Sequence, residues 1–375
     1  MSLVMTLASR NLFHDQLRFI ATLVGIVFSV VLVLIQMGLF LGFGRMVTTM
    51  IDHANADLWV LPKGAKCFED PSLLDLKLRD KVASVDGVAS VVPMVIGFSD
   101  WRLDSGEMTP VFIVGADLKA GVLQPWNVVE GDGRALSQSG SVAVDRSYFD
   151  RLGIKGLDAT AEIRGRRVKV IALTDGIRSF TTTPYIFVDL KNARLYTGTF
   201  PSRASDLIIR LKPDADRAKA IEAIRTQVGD AEVLTSDEFR RRSFWLFGTG
   251  AGAALFAGAL LGVIVGTVIV AQTLYSSTKD HLSEFATLRA MGSSNKYIYN
   301  VIIYQALLSA VIGFILAAAI GYVVVEMTAK SALPIVITPW LAIALLALTI
   351  AMCVSSGIVA IIRVVRIDPV TVFMR

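Results

Sequence analysis

The sequence predicts an α-helical membrane protein with four transmembrane helices and a large α+β extracytoplasmic domain inserted between helices 1 and 2. The first observation behind this is a set of four long apolar runs, Phe19–Gly44, Phe244–Ser277, Tyr297–Val325 and Pro339–Ile362. Each exceeds the ~20 residues a helix needs to cross a bilayer core, and none contains Asp, Glu, Lys or Arg. The second is their placement: one lies near the N-terminus, three crowd the last third, and roughly two hundred residues of soluble-domain character lie between. The third is composition. The chain is 54% hydrophobic but only 9% aromatic, as expected when Ala, Val, Leu, Ile and Gly fill spanning helices.

Taken in order, residues 1–17 read as an amphipathic helix along the inner membrane surface. Leu3, Leu7, Leu12 and Phe13 are apolar there, and Arg10, Asn11, His14 and Asp15 polar. The first span covers 18–45. Its apolar stretch is well beyond the ~7–15 residues of a signal h-region, and no clean small-x-small site follows, so it reads as a retained anchor.

The extracytoplasmic domain covers 46–242. An α+β part takes in about 46–127 and 198–242, and a mainly β insertion about 128–197. Strands are expected at 56–61, 88–95, 101–103, 111–114, 159–164, 168–173, 185–189, 207–211 and 232–234. Helices are expected at 75–84 and 215–228, with a turn at Asp175-Gly176 and a charged entry at 237–242.

The second span, with a stalk, covers 243–277. Over roughly thirty uncharged residues make a helix of about 48 Å or more. A hydrocarbon core is only ~30 Å thick, so the helix must tilt or protrude. Trp245 and Phe247 serve either as interfacial anchors or as stalk packing. A cytoplasmic helix follows at 278–296, the third span at 297–328, a short outer loop at 329–338, the fourth span at 339–363 and a tail at 364–375.

Orientation follows from the basic residues. Arg10 and Arg18 precede the first span, Lys279, Arg289 and Lys296 lie between the second and third, and Arg363, Arg366 and Arg375 follow the fourth. Four crossings put all three groups on one side, which the positive-inside rule makes the cytoplasm. Both termini are then cytoplasmic and the large domain faces out. The net charge of +5 is read as this bias and not as a nucleic-acid footprint.

Small residues recur at every fourth position of the second span: Gly250, Ala254, Gly258, Gly262 and Gly266. Gly313, Ala317 and Gly321 repeat the device in the third, and Gly38 and Gly42 in the first. Such spacing lets helix backbones approach closely in lipid. It serves either packing within one bundle or a dimer seam.

No charged residue lies mid-membrane, whereas an ion-coupled transporter normally carries one facing a partner or cavity. Energy should therefore enter from elsewhere. Enzymatic readings are weak. His14, His53 and His281 are widely separated, Cys67 and Cys353 lie in different parts of the chain, and no nucleophile or metal spacing is present in the sequence. The segment Ser276–Gly292 carries Leu282, Phe285, Ala286 and Leu288 as an apolar stripe at helical spacing, closed by Gly292 as a C-cap. It suits docking to a cytoplasmic partner or serves as an ordinary interfacial helix.

The run Glu284-Phe285-Ala286-Thr287-Leu288-Arg289-Ala290-Met291-Gly292 resembles the coupling-helix signature of FtsX-like ABC transporter permeases, the type VII superfamily with DevC, MacB and LolC branches. Arg363-Val364-Val365-Arg366-Ile367-Asp368-Pro369-Val370 resembles that family's closing motif, and Ser9-Arg10-Asn11-Leu12 its N-terminal entry. The one-plus-three layout is also similar. Asp175-Gly176-Ile177-Arg178-Ser179-Phe180 looks most like the DevC branch, with a separate ATPase; the MacB pattern fuses its ATPase to the N-terminus, and this chain departs from that.

The resemblance implies two permease chains, identical or closely related, with two copies of a cytoplasmic ABC ATPase that holds ATP and Mg. This sequence has no Gly-x-x-x-x-Gly-Lys-Ser/Thr loop, so no catalytic residues and no cofactor are expected in it. It further implies contacts to the ATPase by Lys279, Glu284, Phe285, Ala286, Thr287, Leu288, Arg289, Met291 and Gly292. Glu284 and Arg289 would supply polar contacts, and Phe285 and Leu288 would fill the ATPase groove. The implied function is mechanotransmission in a bacterial inner membrane, exporting a lipophilic or periplasmic substrate through a periplasmic adaptor and an outer-membrane tunnel. Two alternatives stand beside it: lipoprotein or lipid extraction, and FtsX-like regulation of a cell-wall hydrolase.

Overall fold

The computed structural model describes residues 13–103, 105–280, 295–328 and 335–365. In chain order the elements begin with helix α1 (Gln16–His53), strands β1 (Leu58–Leu61) and β2 (Leu74–Asp75), helix α2 (Lys77–Ala83), and strands β3 (Val88–Arg102) and β4 (Met108–Ala116). They continue with β5 (Val128–Gly131), β6 (Ser141–Asp145), α3 (Phe149–Leu152), β7 (Thr160–Ile163), β8 (Arg166–Thr174), β9 (Tyr185–Asp189) and α4 (Leu190–Thr197). Strands β10 (Arg203–Ala204) and β11 (Asp206–Leu211), helix α5 (Arg217–Val228) and strand β12 (Glu232–Thr235) complete the inserted segment. The remaining helices are α6 (Ser236–Thr249), α7 (Ala251–Asp280), α8 (Asn295–Thr328) and α9 (Pro339–Val365).

Two compact units result. Among the described residues, one takes those within 13–42, 252–280, 295–328 and 335–365, and the other those within 43–251. The helical unit contains four segments long and apolar enough to cross a membrane, within Gln16–His53, Ala251–Ser276, Tyr299–Thr328 and Pro339–Val359. Its interior gathers Ile26, Val30, Val270, Leu274, Ala306, Ala310, Ala317, Met352 and Cys353, which are buried. Since lipid is as apolar as leucine, close packing and hydrogen bonds between helices replace the hydrophobic drive here. Ser29 Oγ donates to the Gly262 carbonyl at 2.7 Å, and Ser356 Oγ to the Thr267 carbonyl at 2.9 Å.

The sheet-bearing unit is organised on one long, mainly antiparallel sheet in the order β12-β1-β11-β3-β4-β9-β6-β8-β5, with β7 paired to both β3 and β8. The β4–β9 and β6–β8 pairs are parallel. Side chains alternate faces along a strand. Met94, Ile96, Phe112, Val114 and Ala116 accordingly enter one core, and Val95, Trp101, Val111 and Ile113 another. Both faces are covered, which is why these strands are apolar almost throughout.

Two sequence expectations are corrected. The strands expected at 88–95 and 101–103 are one strand, β3, which ends at Arg102 and whose pairing with β4 runs unbroken from Met94↔Ala116 to Arg102↔Met108. Gly97, Ser99 and Asp100 look like an interruption in sequence. In the fold Gly97 lies beneath Thr197, and Ser99 Oγ donates to the Tyr196 carbonyl at 2.8 Å, so the small and polar positions accommodate α4. Phe244–Ser277 is likewise not one continuous helix. Helix α6 ends at Gly250, where φ −97° and ψ −111° leave helical geometry, and α7 begins at Ala251.

Candidate functional site

Of the residues the sequence assigns to ATPase contact, Lys279 is exposed in the last turn of α7. Glu284, Phe285, Ala286, Thr287, Leu288, Arg289, Met291 and Gly292 lie outside the described residues.

The small-residue stripe is placed more fully. A Cβ on Gly258 would sit 2.8 Å from Gln36 Nε2, and one on Gly262 would sit 3.2 Å from Leu32 and Val33. On Gly266 it would overlap Ser29 and lie 2.9 Å from Met352 Sδ. These three glycines therefore seat α7 against α1 of the same chain. Gly313 and Gly321 of α8 meet Ile26 and Leu34 in the same way, with a Cβ distance of 2.5 Å at the first and 2.7 Å at the second. Ala254 is exposed, and Gly250 is the break between α6 and α7.

A second constellation lies in the sheet-bearing unit, where α1 ends and α6 begins. Helix α1 leads into β1, and β12 leads into α6. The two strands pair antiparallel from Leu58↔Thr235 to Leu61↔Glu232. Side chains tie the helix ends together as well. Arg240 bonds Asp52 at 2.6 Å and Asp237 at 2.8 Å, and Thr48 Oγ1 donates to Asp52 at 2.7 Å. Phe43 stacks on Phe247 at 5.8 Å. Trp59, fully buried, packs on Phe239 at 5.3 Å and donates its indole N–H to Ser236 Oγ, which donates to the Ala56 carbonyl. Thr235 and Glu238 form a reciprocal capping box that fixes the start of α6. The Thr235 backbone N–H bonded to Glu238 holds that carboxyl below its ordinary value. Arg242 pairs with Glu232 and lowers its pKa in the same sense.

The third constellation involves the Asp175–Phe180 motif. Glu69 is buried and accepts hydrogen bonds from Ser179 Oγ at 2.7 Å, Thr181 Oγ1 at 2.8 Å and the Tyr185 hydroxyl. The Ser179 N–H donates to Tyr148 Oη at 3.1 Å, and the Ile177 N–H to Asp145 at 2.7 Å. Loss of hydration raises the Glu69 pKa, against the pull of its hydroxyl donors. Burial likewise pushes Tyr148 up to about 12 and the Cys67 thiol up to about 11. The two carboxylate oxygens of Glu69 thus tie Ser179 and Thr181 of the loop to Tyr185 at the start of β9, which is a positioning role. Sequence reasoning missed Glu69 and the Asp52–Arg240 pair, since both depend on partners more than a hundred residues away. The Thr235-x-x-Glu238 box was available as a local signal.

A family profile described as MacB-like periplasmic core domain matches residues 19–227, and one described as FtsX-like permease C-terminal matches 253–369. An uncharacterized ABC transporter permease of Mycobacterium tuberculosis is 25% identical over 382 residues, covering 98% of each chain. One of Mycobacterium bovis is 26% identical over 370 residues, covering 93% of each. Among solved structures, the periplasmic region of MacB from Actinobacillus actinomycetemcomitans aligns with a TM-score of 0.38 and 12% identity over 52% of this chain and 96% of that one. The extracellular domain of YknZ from Gram-positive bacteria aligns at 0.34 and 16% over 48% of this chain and 99% of that one.

Proposed function

The chain belongs to the FtsX-like ABC transporter permeases with a MacB-like periplasmic core domain, and on that premise we propose that it converts the ATP-driven motion of a partner ATPase into movement of its inserted domain. As a member it is a membrane-spanning permease component of an ABC transporter, a class that works with an ATPase. In the proposed mechanism two permease copies pair with two separate ATPase subunits that hold ATP and Mg. The permease sits in a bacterial inner membrane, both termini in the cytoplasm and the inserted domain in the periplasm. The ATPase engages Lys279 and the segment Glu284–Gly292. The cargo is lipophilic or periplasmic and leaves through an adaptor and an outer-membrane tunnel, in the manner of the DevC branch.

One observation carries this reading: β12 runs directly into α6, and β1, its neighbour in the sheet, follows α1 after the short segment 54–57. A shift of either helix end is then passed to a hydrogen-bonded strand pair. The uncharged spans fit a transmitter better than an ion pathway. The test is to purify the chain with its candidate ATPase in detergent and measure ATP turnover. The wild type should assemble two-to-two with a coupled ATPase, and Glu284→Ala/Leu288→Ala should lose assembly or coupling. A double variant indistinguishable from wild type would remove the coupling assignment.

A further inference from the structure

Helices α1 and α6 change from apolar to basic at the same level of the fold. On α1 the uncharged run Phe19–Gly44 ends at Arg45, and on α6 the uncharged run begins at Ser243, directly after Arg240-Arg241-Arg242. These two boundaries touch. A Cβ on Gly44 would lie 2.7 Å from the Phe244 ring, and Phe43 stacks on Phe247. Helix α1 is continuous through this level, and from Arg18 to Arg45 it rises about 40 Å at ~1.5 Å per residue. A bilayer measures ~40–45 Å with its headgroup regions included. A helix with Arg18 in one headgroup layer therefore carries Arg45 into the other.

The side chains at this level suit a lipid headgroup. Arg240 and Arg242 are taken up by Asp52, Asp237 and Glu232. Arg45 and Arg241 are exposed and form no ion pair among the described residues. Glu238 is near enough for Arg241 to favour its charged form, but its carboxylate is bound to Thr235 in the capping box. Trp245 follows Arg241 by one turn on the same face of α6 and is 69% exposed, with no acceptor for its indole N–H among the described residues. Phe247 is buried, so of the two aromatic anchor candidates Trp245 is the one that faces outward. Tryptophan is enriched at headgroup level, and arginine keeps its charge in the polar layer while its stem covers apolar surface. The next helix, α7, exposes Phe256, Leu260, Leu261 and Ile264, as a lipid-facing helix does. We propose that Arg45, Arg241 and Trp245 form a headgroup site for anionic phospholipid in the leaflet on the side of the inserted domain. The guanidinium groups take the phosphate oxygens, and the indole lies where headgroup meets acyl chain. The inference uses the membrane-spanning helices and not the coupling to an ATPase, which its test leaves out.

The full chain is reconstituted alone in mixed bilayers of phosphatidylcholine and phosphatidylglycerol, with bromine on the upper acyl carbons of one lipid or the other. Bromine quenches indole emission on contact, and subtracting the emission of the Trp245→Phe chain isolates Trp245 from the other tryptophans. Per mole of lipid, phosphatidylglycerol should quench Trp245 about two- to fivefold more than phosphatidylcholine does, the enrichment expected of arginines at a membrane surface. Arg45→Gln/Arg241→Gln changes two exposed positions and should bring the two lipids to equality, with quenching by phosphatidylcholine still present. That remaining quenching shows that the variant is folded and inserted. Trp245 emission untouched by either brominated lipid would overturn the proposal and mean that protein, such as a second copy, covers this face. Equal quenching by the two lipids in the wild type would overturn it too, as would a preference that survives the double variant.

Discussion

Glu69 shows how a single buried carboxyl can set the pH response of the inserted domain. Desolvation raises its pKa, and three hydroxyl donors only partly offset that. The folded chain then holds the proton to a higher pH than the unfolded chain does. This contribution to stability is full below the ordinary carboxylate pKa and is lost as pH rises through the folded value. Asp206, buried and raised well above its ordinary value by desolvation and by the nearby Asp70, adds a term of the same sign. Glu69→Gln removes only the Glu69 term. The variant should be less stable than wild type in acid, having lost acceptor sites for the hydroxyls. That deficit should narrow as pH rises above the ordinary carboxylate range in thermal unfolding of the full chain. A deficit that stays constant or widens contradicts the assignment. Trp59 is a second single-residue test. It is fully buried against Phe239 and Phe68 and bonded to Ser236, so Trp59→Ala should cost about 3–5 kcal/mol by chemical denaturation.

Between elements, close approach of backbones matters more than charge. Gly266→Leu would drive a side chain into Ser29 and Met352, and overpacking of this kind costs about 1–3 kcal/mol. Thermal stability in detergent should fall accordingly, whereas Ala254→Leu at an exposed position of the same stripe should leave it nearly unchanged. The Arg240 pairs with Asp52 and Asp237 are each at least a third exposed, so Arg240→Ala should change unfolding stability by less than about 1 kcal/mol.

Element by element, local signals were legible and distant ones were not. The apolar runs located all four membrane-length helices, and alternation located β7, β8 and β9, because each signal sits within a few residues. Strand β3 was divided at Gly97–Asp100 because the helix that accommodates those positions, α4, lies about a hundred residues further on. The break at Gly250 was obscured by an apolar run that continues across it. Of the stripe, the sequence left both packing and a seam open; for Gly258, Gly262 and Gly266 the nearest residues met within the chain are on α1, and only three-dimensional register could show that.

At the scale of the whole molecule, two covalent routes join the membrane helices to the sheet: the uninterrupted α1, and α7 through Gly250 into α6. Both end on the β1–β12 pair. The proposed function asks these connections to move when a partner ATPase binds ATP. The most direct measurement places one spin label on each permease copy at Trp245→Cys, an exposed position of α6, with Cys67 and Cys353 replaced by Ala, in the assembled complex with its ATPase. The account predicts that ATP binding changes the distance between the two labels, and that Glu284→Ala/Leu288→Ala abolishes the change. A distance that stays fixed while the wild-type complex hydrolyses ATP would contradict it.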